Sequence, residues 1–308
     1  MKLELRAMKK ILVTGANSFT ASHVIPFLAS QGYEIQGLTR SLENRQFVPT
    51  LNIVSDFIRP HLIGDLSDPS FTENLTYKPD VILHLAANHG RTDAELSRIK
   101  RDNIGAVSNL ISFSKRIECP KVIALSSISV HGTVSTSTVS AATGFKNPNI
   151  YGHSKREVEI LLQQLGNEQN VFILRLPSIL GQGAKNHWLS TVLESALSNS
   201  TIRFQNASSK FNNAVYIDDL SIFISHLISE NYSGVHAFPL ASTEPITIDE
   251  IVRLLVEMSG SFSKLESEVV ERSTFTIDDL FARKQFGYTS RTTRSAVESF
   301  ALDALRNI

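Results

Sequence analysis

The sequence predicts an α/β fold organised around a doubly wound parallel sheet, with a smaller C-terminal lobe. Three observations predict it. Short β-branched runs alternate with longer helical stretches through the first half of the chain, the pattern of strand–helix–strand crossovers. Several of those runs are apolar at successive positions, as strands covered by helices on both faces must be. The first run ends in a glycine turn that opens directly into a helix, the entry into a βαβ unit.

In order, the predicted strands are 11–14, 34–38, 61–64, 81–85, 121–126 and 171–174, and the helices between them are 20–30, 70–75, 97–116 and 150–165. Beyond Arg175 the alternation loosens, and Pro177, Gly181 and Gly183 punctuate the chain. Residues 1–7 read as a loosely ordered extension before Met8-Lys9-Lys10. No repeat of fixed period is present.

Composition narrows the function classes. The chain has 308 residues, 42% of them hydrophobic, enough for a large core. Thirty Lys and Arg balance thirty Asp and Glu, so no net charge draws the protein to nucleic acid or an anionic membrane, and neither is expected as a partner. The single cysteine, Cys119, has no internal disulfide partner, which fits a reducing compartment. Nothing resembles a secretory h-region, and no run reaches the roughly 18 apolar residues of a membrane span. A cytoplasmic location is expected. The nine histidines show no metal-ligand spacing, so no metal is expected.

The strand ending at Thr14 runs into Gly15-Ala16-Asn17-Ser18-Phe19-Thr20-Ala21-Ser22. A strand end, a tight turn and a helix N-terminus together make a site for a dinucleotide pyrophosphate. The full fingerprint asks for small residues at three places. Gly15 and Ala21 fill the first and third, while Ser18 stands where the second glycine is expected. Its hydroxyl is expected to donate to phosphate. The plain alternative is an ordinary strand–helix turn. With this turn the fold is Rossmann-like, and the domain reading is 8–175 for a dinucleotide-binding domain. Residues 176–308 then form a substrate-binding lobe with segments returning to the main domain.

Tyr151-Gly152-His153-Ser154-Lys155 opens a helical stretch and sets Tyr151 and Lys155 on one face. The preceding strand ends in Ser126-Ser127, and ligands of doubly wound sheets lie outside the carboxyl ends of strands. The three residue types suit carbonyl and alcohol chemistry. A phenol of pKa ~10 is a poor base at neutral pH, and a nearby ammonium favours its phenolate. The serine hydroxyl holds the substrate oxygen. The plain alternative for the pair is a surface Tyr–Lys contact.

These motifs, in this order, resemble the extended short-chain dehydrogenase/reductases, the NAD-dependent epimerase/dehydratase group that modifies nucleotide sugars. The likeness runs through Thr14-Gly15-Ala16, Gly64-Asp65-Leu66, His84-Leu85-Ala86-Ala87 and Asn103. It continues through Arg175-Leu176-Pro177-Ser178-Ile179-Leu180-Gly181, Tyr216-Ile217-Asp218-Asp219-Leu220 and Phe286-Gly287-Tyr288. The resemblance implies a catalytic triad of Ser127, Tyr151 and Lys155. It implies cofactor contacts from Gly15, Asn17, Ser18, Phe19, Thr20, Arg40, Asp65, Leu66, Leu85, Ala86, Ala87, Asn103, Tyr151, Lys155 and Pro177. It places His131, Asn186 and Trp188 toward a nucleotide-sugar substrate, and it implies a homodimer through the helices around 97–116 and 150–165. His84 is expected to be a packed structural histidine, and Asp218 and Asp219 capping or structural residues.

Two local features choose among reactions. Ile128-Ser129 stands where the family's dehydratases carry an Asp-Glu pair, so elimination is disfavoured. The second strand ends in Thr39-Arg40, where a basic residue suits the 2′-phosphate of NADP and an acidic one the ribose of NAD; Arg45 is a second candidate cation. NADP, with NAD as the other choice, favours net reduction of a 4-keto nucleotide sugar. The runner-up is an NAD-dependent nucleotide-sugar epimerase. A cofactor-sensing or scaffold protein is the third reading, resting on Ser18 weakening the phosphate turn.

Overall fold

The computed structural model describes residues 8–41, 58–90, 95–166, 168–271 and 274–306. The predicted extension 1–7 and Arg45 lie outside the described residues.

Two compact units divide the chain. The first gathers Met1–Val130, Pro148–Leu174 and Ile224–Ala237; the second gathers His131–Asn147, Arg175–Phe223 and Phe238–Ile308. The chain therefore passes between units several times, where the sequence predicts a boundary after residue 175 with later segments returning to the first domain. Short strands account for part of this. Thr138–Val139 pairs in parallel with Thr276–Ile277, far down the chain, so 131–147 joins the second unit.

The first unit begins with β1 (Lys10–Thr14), α1 (Phe19–Ser30), β2 (Glu34–Thr39), β3 (Ile58–Ile63), α2 (Pro69–Glu73) and β4 (Val81–His84). A helical run follows: α3 (Leu96–Ile99), a π-helical turn over Lys100–Gly105, and α4 (Ala106–Arg116). Then come β5 (Lys121–Ser127), β6 (Thr138–Val139, in the second unit), α5 (Ile150–Gln163) and β7 (Asn170–Leu176). The seven-stranded sheet has the order β12-β7-β5-β4-β1-β2-β3, where β12 is Val235–Pro239. β1 pairs in parallel with both β2 and β4. The order reverses between β1 and β4, and the carboxyl ends of those strands flank the switch point where such sheets bind ligands.

The two strands at the switch point form for the reason read from sequence. Ile11, Leu12 and Val13 of β1 and Val81, Ile82 and Leu83 of β4 are buried. Glycine at position 37 of β2 is a packing requirement, because a Cβ there would lie 2.9 Å from the Cβ of Ala16 and 2.6 Å from the His61 ring. Lys121 is buried at the start of β5. Its ammonium donates to the carbonyls of Leu227, Ile228 and Glu230 at 2.6, 3.1 and 2.6 Å, satisfying acceptors that a helix leaves open at its C-terminal end.

The second unit carries β8 (Ser178–Leu180), α6 (Trp188–Leu197), β9 (Ile202–Gln205), β10 (Lys210–Phe211) and β11 (Ala214–Tyr216). α7 (Ile217–Ser229) runs from it into the first unit. After β12 follow β13 (Ile246–Thr247), α8 (Ile248–Met258), β14 (Leu265–Glu268), β15 (Thr276–Ile277), α9 (Leu280–Phe286) and α10 (Thr293–Leu305). Gly287 ends α9 in the left-handed conformation, φ 65°, as helix-terminating glycines do. Among the described residues no helix is long and apolar enough to cross a membrane, and no group of three or more His, Cys, Asp or Glu is placed to hold a metal.

Candidate active site

The turn after β1 is built around two short residues. Gly15 has φ 68°, and a Cβ on it would lie 2.8 Å from the backbone of Ala86. Glycine is thus required twice, by conformation and by the approach of the chain leaving β4. Ser18 has φ −84° and ψ 161°, which any residue adopts, and its Oγ accepts the Ala21 amide at 3.2 Å. The serine in place of glycine is the N-cap of α1. Its hydroxyl hydrogen has no acceptor among the described residues. Asn17 donates to the carbonyl of Ser41 at 3.3 Å.

The ends of β1 and β4 are joined by Thr14, whose Oγ1 lies 2.8 Å from Nδ1 of buried His84. Burial, with the Lys155 ammonium nearby, pushes His84 down to about 3, so it is a neutral packed histidine. Leu85 is buried, Ala86 half-buried and Ala87 exposed, a graded rim where the strand emerges. Asp65 accepts from the amide and hydroxyl of Ser67, both at 2.8 Å, which fixes the turn after β3 beside buried Leu66.

Arg40, at the exit of β2, is a paired cation. Its guanidinium lies 2.7 Å from Asp102, a carboxylate that Arg101 also meets at 2.8 Å and Arg98 at 3.6 Å. Asn103 sits in the π-helical turn, buried, and is spent on structure. Its Oδ1 accepts the Asn88 amide at 2.7 Å, and its Nδ2 donates to the Asn88 carbonyl at 2.9 Å and to Ser154 Oγ at 3.0 Å. Both amide hydrogens of Asn103, a residue expected near the cofactor, are thus committed within the protein.

The seam between β5 and α5 holds the Ser–Tyr–Lys set. Lys155 Nζ donates to the Leu125 carbonyl at 2.8 Å, and Ser126 Oγ donates to Glu159 at 2.6 Å. A Cβ on Gly152 would stand 2.1 Å from the Ser129 carbonyl oxygen, so glycine there lets the start of α5 lie against the turn that follows Ser127. Ser127 Oγ donates to Ser129 Oγ and accepts the Ser129 amide, each at 3.1 Å. Burial lowers the Lys155 ammonium to about 8, opposed by the charge of Glu159. Burial alone pushes the Tyr151 phenol far above its ordinary value.

The remaining candidates stand in the second unit. His131 is buried, with Nδ1 3.0 Å from the Gly144 carbonyl and its ring stacked on Phe145. Pro177 is half-buried between β7 and β8. Asn186 is exposed with φ 64°. Trp188, the first residue of α6, packs on Phe211 with ring centres 5.6 Å apart, while His187 caps that helix by accepting the Ser190 amide. Asp219 accepts from the Arg291 amide and guanidinium, a structural role in accord with the sequence reading. Sequence reasoning missed His89, whose ring lies 4.6 Å from that of Tyr151 at an interplanar angle of 30°.

A model of the NAD dependent epimerase/dehydratase family matches residues 11–239. The chain belongs to that family. The match takes in the turn at Gly15, the β5–α5 seam and the sheet through β12. This epimerase/dehydratase-family chain is 24% identical over 309 residues to Protein CapI of Staphylococcus aureus, covering 88% of this chain and 91% of that one. It is 26% identical over 273 residues to a dTDP-4-dehydro-6-deoxy-D-allose reductase of a Streptomyces species, covering 82% of each. In fold it is similar to the Bordetella bronchiseptica enzyme WbmG in complex with NAD and UDP, with a TM-score of 0.84, 16% identity, and 98% and 96% of the two chains covered. The protein is thus a nicotinamide-dependent enzyme with a Rossmann-like fold. The glycine-lined approach of Ala86 to Gly15 and the capped N-terminus of α1 fit a dinucleotide.

Proposed function

We propose that this enzyme reduces the 4-keto group of a nucleotide sugar, with NADPH as reductant and Ser127, Tyr151 and Lys155 as its catalytic residues. The observation that carries the reading is the state of Tyr151. Burial raises the pKa of its phenol and so favours the protonated form, and its hydroxyl has no hydrogen-bond partner among the described residues. A resting acid suits reduction, whereas an epimerase must begin by removing a proton from an alcohol. The likeness to a protein named as a dTDP-4-dehydro-6-deoxy-D-allose reductase supports the same direction.

A reduced nicotinamide supplies the hydride, which ends on the carbonyl carbon. Tyr151 donates its proton to the carbonyl oxygen, and the C=O bond becomes CH–OH. Ser127 turns its hydroxyl from Ser129 to the carbonyl oxygen. Lys155 supplies a cation within the seam as the phenolate forms, and the phenolate regains its proton from solvent. Gly15, Ser18 and the first turn of α1 hold the pyrophosphate, and Asp65 the adenine end. Arg40 reads the 2′-phosphate by leaving Asp102. His131, Asn186 and Trp188 are proposed for the sugar nucleotide. The homodimer through α4 and α5 belongs to the same proposal.

Incubation with a 4-keto nucleotide sugar and NADPH tests the reading. One NADPH consumed per alcohol formed is expected. Conversion of one hexose isomer into another by enzyme carrying tightly bound NAD, with no added cofactor, overturns it in favour of epimerisation. Failure to bind either dinucleotide returns the scaffold reading.

A further inference from the structure

We infer that His89 is a positioning residue for Tyr151, its imidazole holding the plane of the phenol ring that delivers the proton; this rests on the role proposed for Tyr151. The phenol needs such a brace. Tyr151 is the second residue of α5, and its hydroxyl makes no hydrogen bond to any described residue, so no polar contact fixes the ring. What meets the ring is His89, with centres 4.6 Å apart and planes 30° apart. That is a tilted ring contact, with the centres inside the range of roughly 4.5–7 Å over which aromatic rings attract one another.

The backbone presenting His89 is itself locked. Asn88, the preceding residue, has its amide and its carbonyl both taken by the side chain of buried Asn103, at 2.7 and 2.9 Å. Its own side chain donates to Asp102 at 3.0 Å and accepts the Gly90 amide at 3.1 Å. Gly90 has φ 40°, and a Cβ on it would stand 2.0 Å from Ile99 Cδ1, so the turn closes only with glycine there. Asn103 also reaches Ser154 on α5 at 3.0 Å. One buried amide thus ties together the segment that carries His89 and the helix that carries Tyr151. The π-helical turn over Lys100–Gly105 contains Asn103; such turns often occur at functional sites.

The ring, not its protonation, is the feature this geometry uses. The contact is one ring against another, and a phenyl ring at position 89 supplies that ring with no titrating nitrogen. A misplaced reacting group costs rate out of proportion to the displacement, so loss of the brace appears in kcat.

The test compares His89→Ala and His89→Phe with the parent enzyme, each checked for an unaltered melting temperature and cofactor Kd. In the 4-keto sugar assay, His89→Ala is expected to lower kcat by about 10–100-fold with KM for NADPH little moved. His89→Phe is expected to recover most of that loss. A fluorotyrosine-labelled protein gives a readout independent of turnover, with the residue 151 resonance assigned by its absence in Tyr151→Phe. That resonance is expected to shift and narrow in His89→Ala and to return toward the parent in His89→Phe. An unmoved resonance in His89→Ala, or an unmoved kcat, overturns the inference. A Phe variant as impaired as Ala overturns it too, in favour of a proton or hydrogen-bond role. If the parent does not reduce 4-keto sugars, the function proposed above fails, and the fluorine signal alone decides whether His89 holds the ring.

Discussion

The two ends of the first unit's ligand-facing edge are built from opposite materials. At the exit of β2, Arg40, Arg98 and Arg101 cover Asp102, whose side chain is 3% exposed, while the three arginine side chains themselves are 48%, 61% and 57% exposed. At the β5–α5 seam Lys155 is buried and Tyr151 half-buried, and removal from water raises Tyr151 and lowers Lys155 toward their uncharged forms. Charge in water is cheap to hold and cheap to exchange. Charge out of water is costly and shifts the proton inventory instead. The first end is therefore suited to choosing between cofactors that differ by one phosphate, and the second to moving one proton. Substitutions at the two ends should differ in size, in what they affect and in their response to salt.

The largest effect belongs to the buried end. Tyr151→Phe removes the transferred proton and keeps the ring that His89 covers, so turnover should fall at least ~100-fold while cofactor Kd barely moves. Steady-state rates and a cofactor titration on one preparation measure both. Retained turnover would remove Tyr151 from the chemistry and dissolve the contrast between the two ends. Gly152→Ala attacks the same seam mechanically. The new Cβ meets a backbone oxygen at 2.1 Å, so α5 or the turn after Ser127 must move. Overpacking of this kind costs about 1–3 kcal/mol, visible as a melting temperature lower by several degrees. An unchanged melting temperature would mean that the seam is slack.

Much of this contrast is legible in the chain without its structure, and the unread part has common causes. The strands at β1, β4 and β5 announce themselves because burial on both faces demands unbroken apolar runs. Gly15 and the Tyr151–Lys155 pair are local patterns, with spacing set by a single turn. Ser18 is legible as a departure from the glycine pattern but not as a helix cap, since that depends on a backbone angle. The π-helical turn around Asn103 breaks the helical period for a few residues inside a longer helix, too briefly to register. Arg40 is legible as a cation at the exit of β2. Its partner Asp102 lies 62 positions away, and no local rule joins them. His89 follows the strand in a segment without periodicity, and only the tertiary fold brings it to Tyr151.

The contrast sharpens with pH. Lys155 titrates near 8 in the folded protein, against an ordinary lysine value of 10.5. Between those values the unfolded chain binds the extra proton, so this group makes folding more favourable as pH rises through the window and less so below it. Binding runs the other way, because the ammonium that would help hold the nicotinamide ribose is lost above about 8. Cofactor Kd should therefore weaken above that pH while thermal stability does not, and Lys155→Met should abolish the inflection and lower turnover at neutral pH. A Kd independent of pH up to about 10, close to the unshifted lysine value, would show that Lys155 does not meet the ligand.

The smallest effect is expected at the exposed end. A guanidinium in contact with a phosphate contributes about 1.5–3 kcal/mol when nothing competes for it. Here Asp102 competes, with Arg40 2.7 Å from its carboxylate, and the exchange trades one charged partner for another. Half of the Arg40 side chain is also open to screening by solvent. Arg101 and Arg98 remain to neutralise Asp102 once Arg40 leaves, which keeps the exchange feasible. Arg40→Ala should accordingly weaken NADP by only about 1 kcal/mol, near fivefold, and leave NAD almost untouched. The NADP advantage of the parent enzyme should shrink as salt rises, since exposed charges lose their reach beyond a Debye length of ~10 Å at 0.1 M. Asp102→Asn makes the complementary change: it frees Arg40 and should tighten NADP selectively. Tighter NADP in Asp102→Asn, with weaker NADP in Arg40→Ala, would establish the exchange. Equal effects on NADP and NAD in both variants would reduce the arginine cluster to a fastening of the helix at Asp102 and leave cofactor choice to other groups.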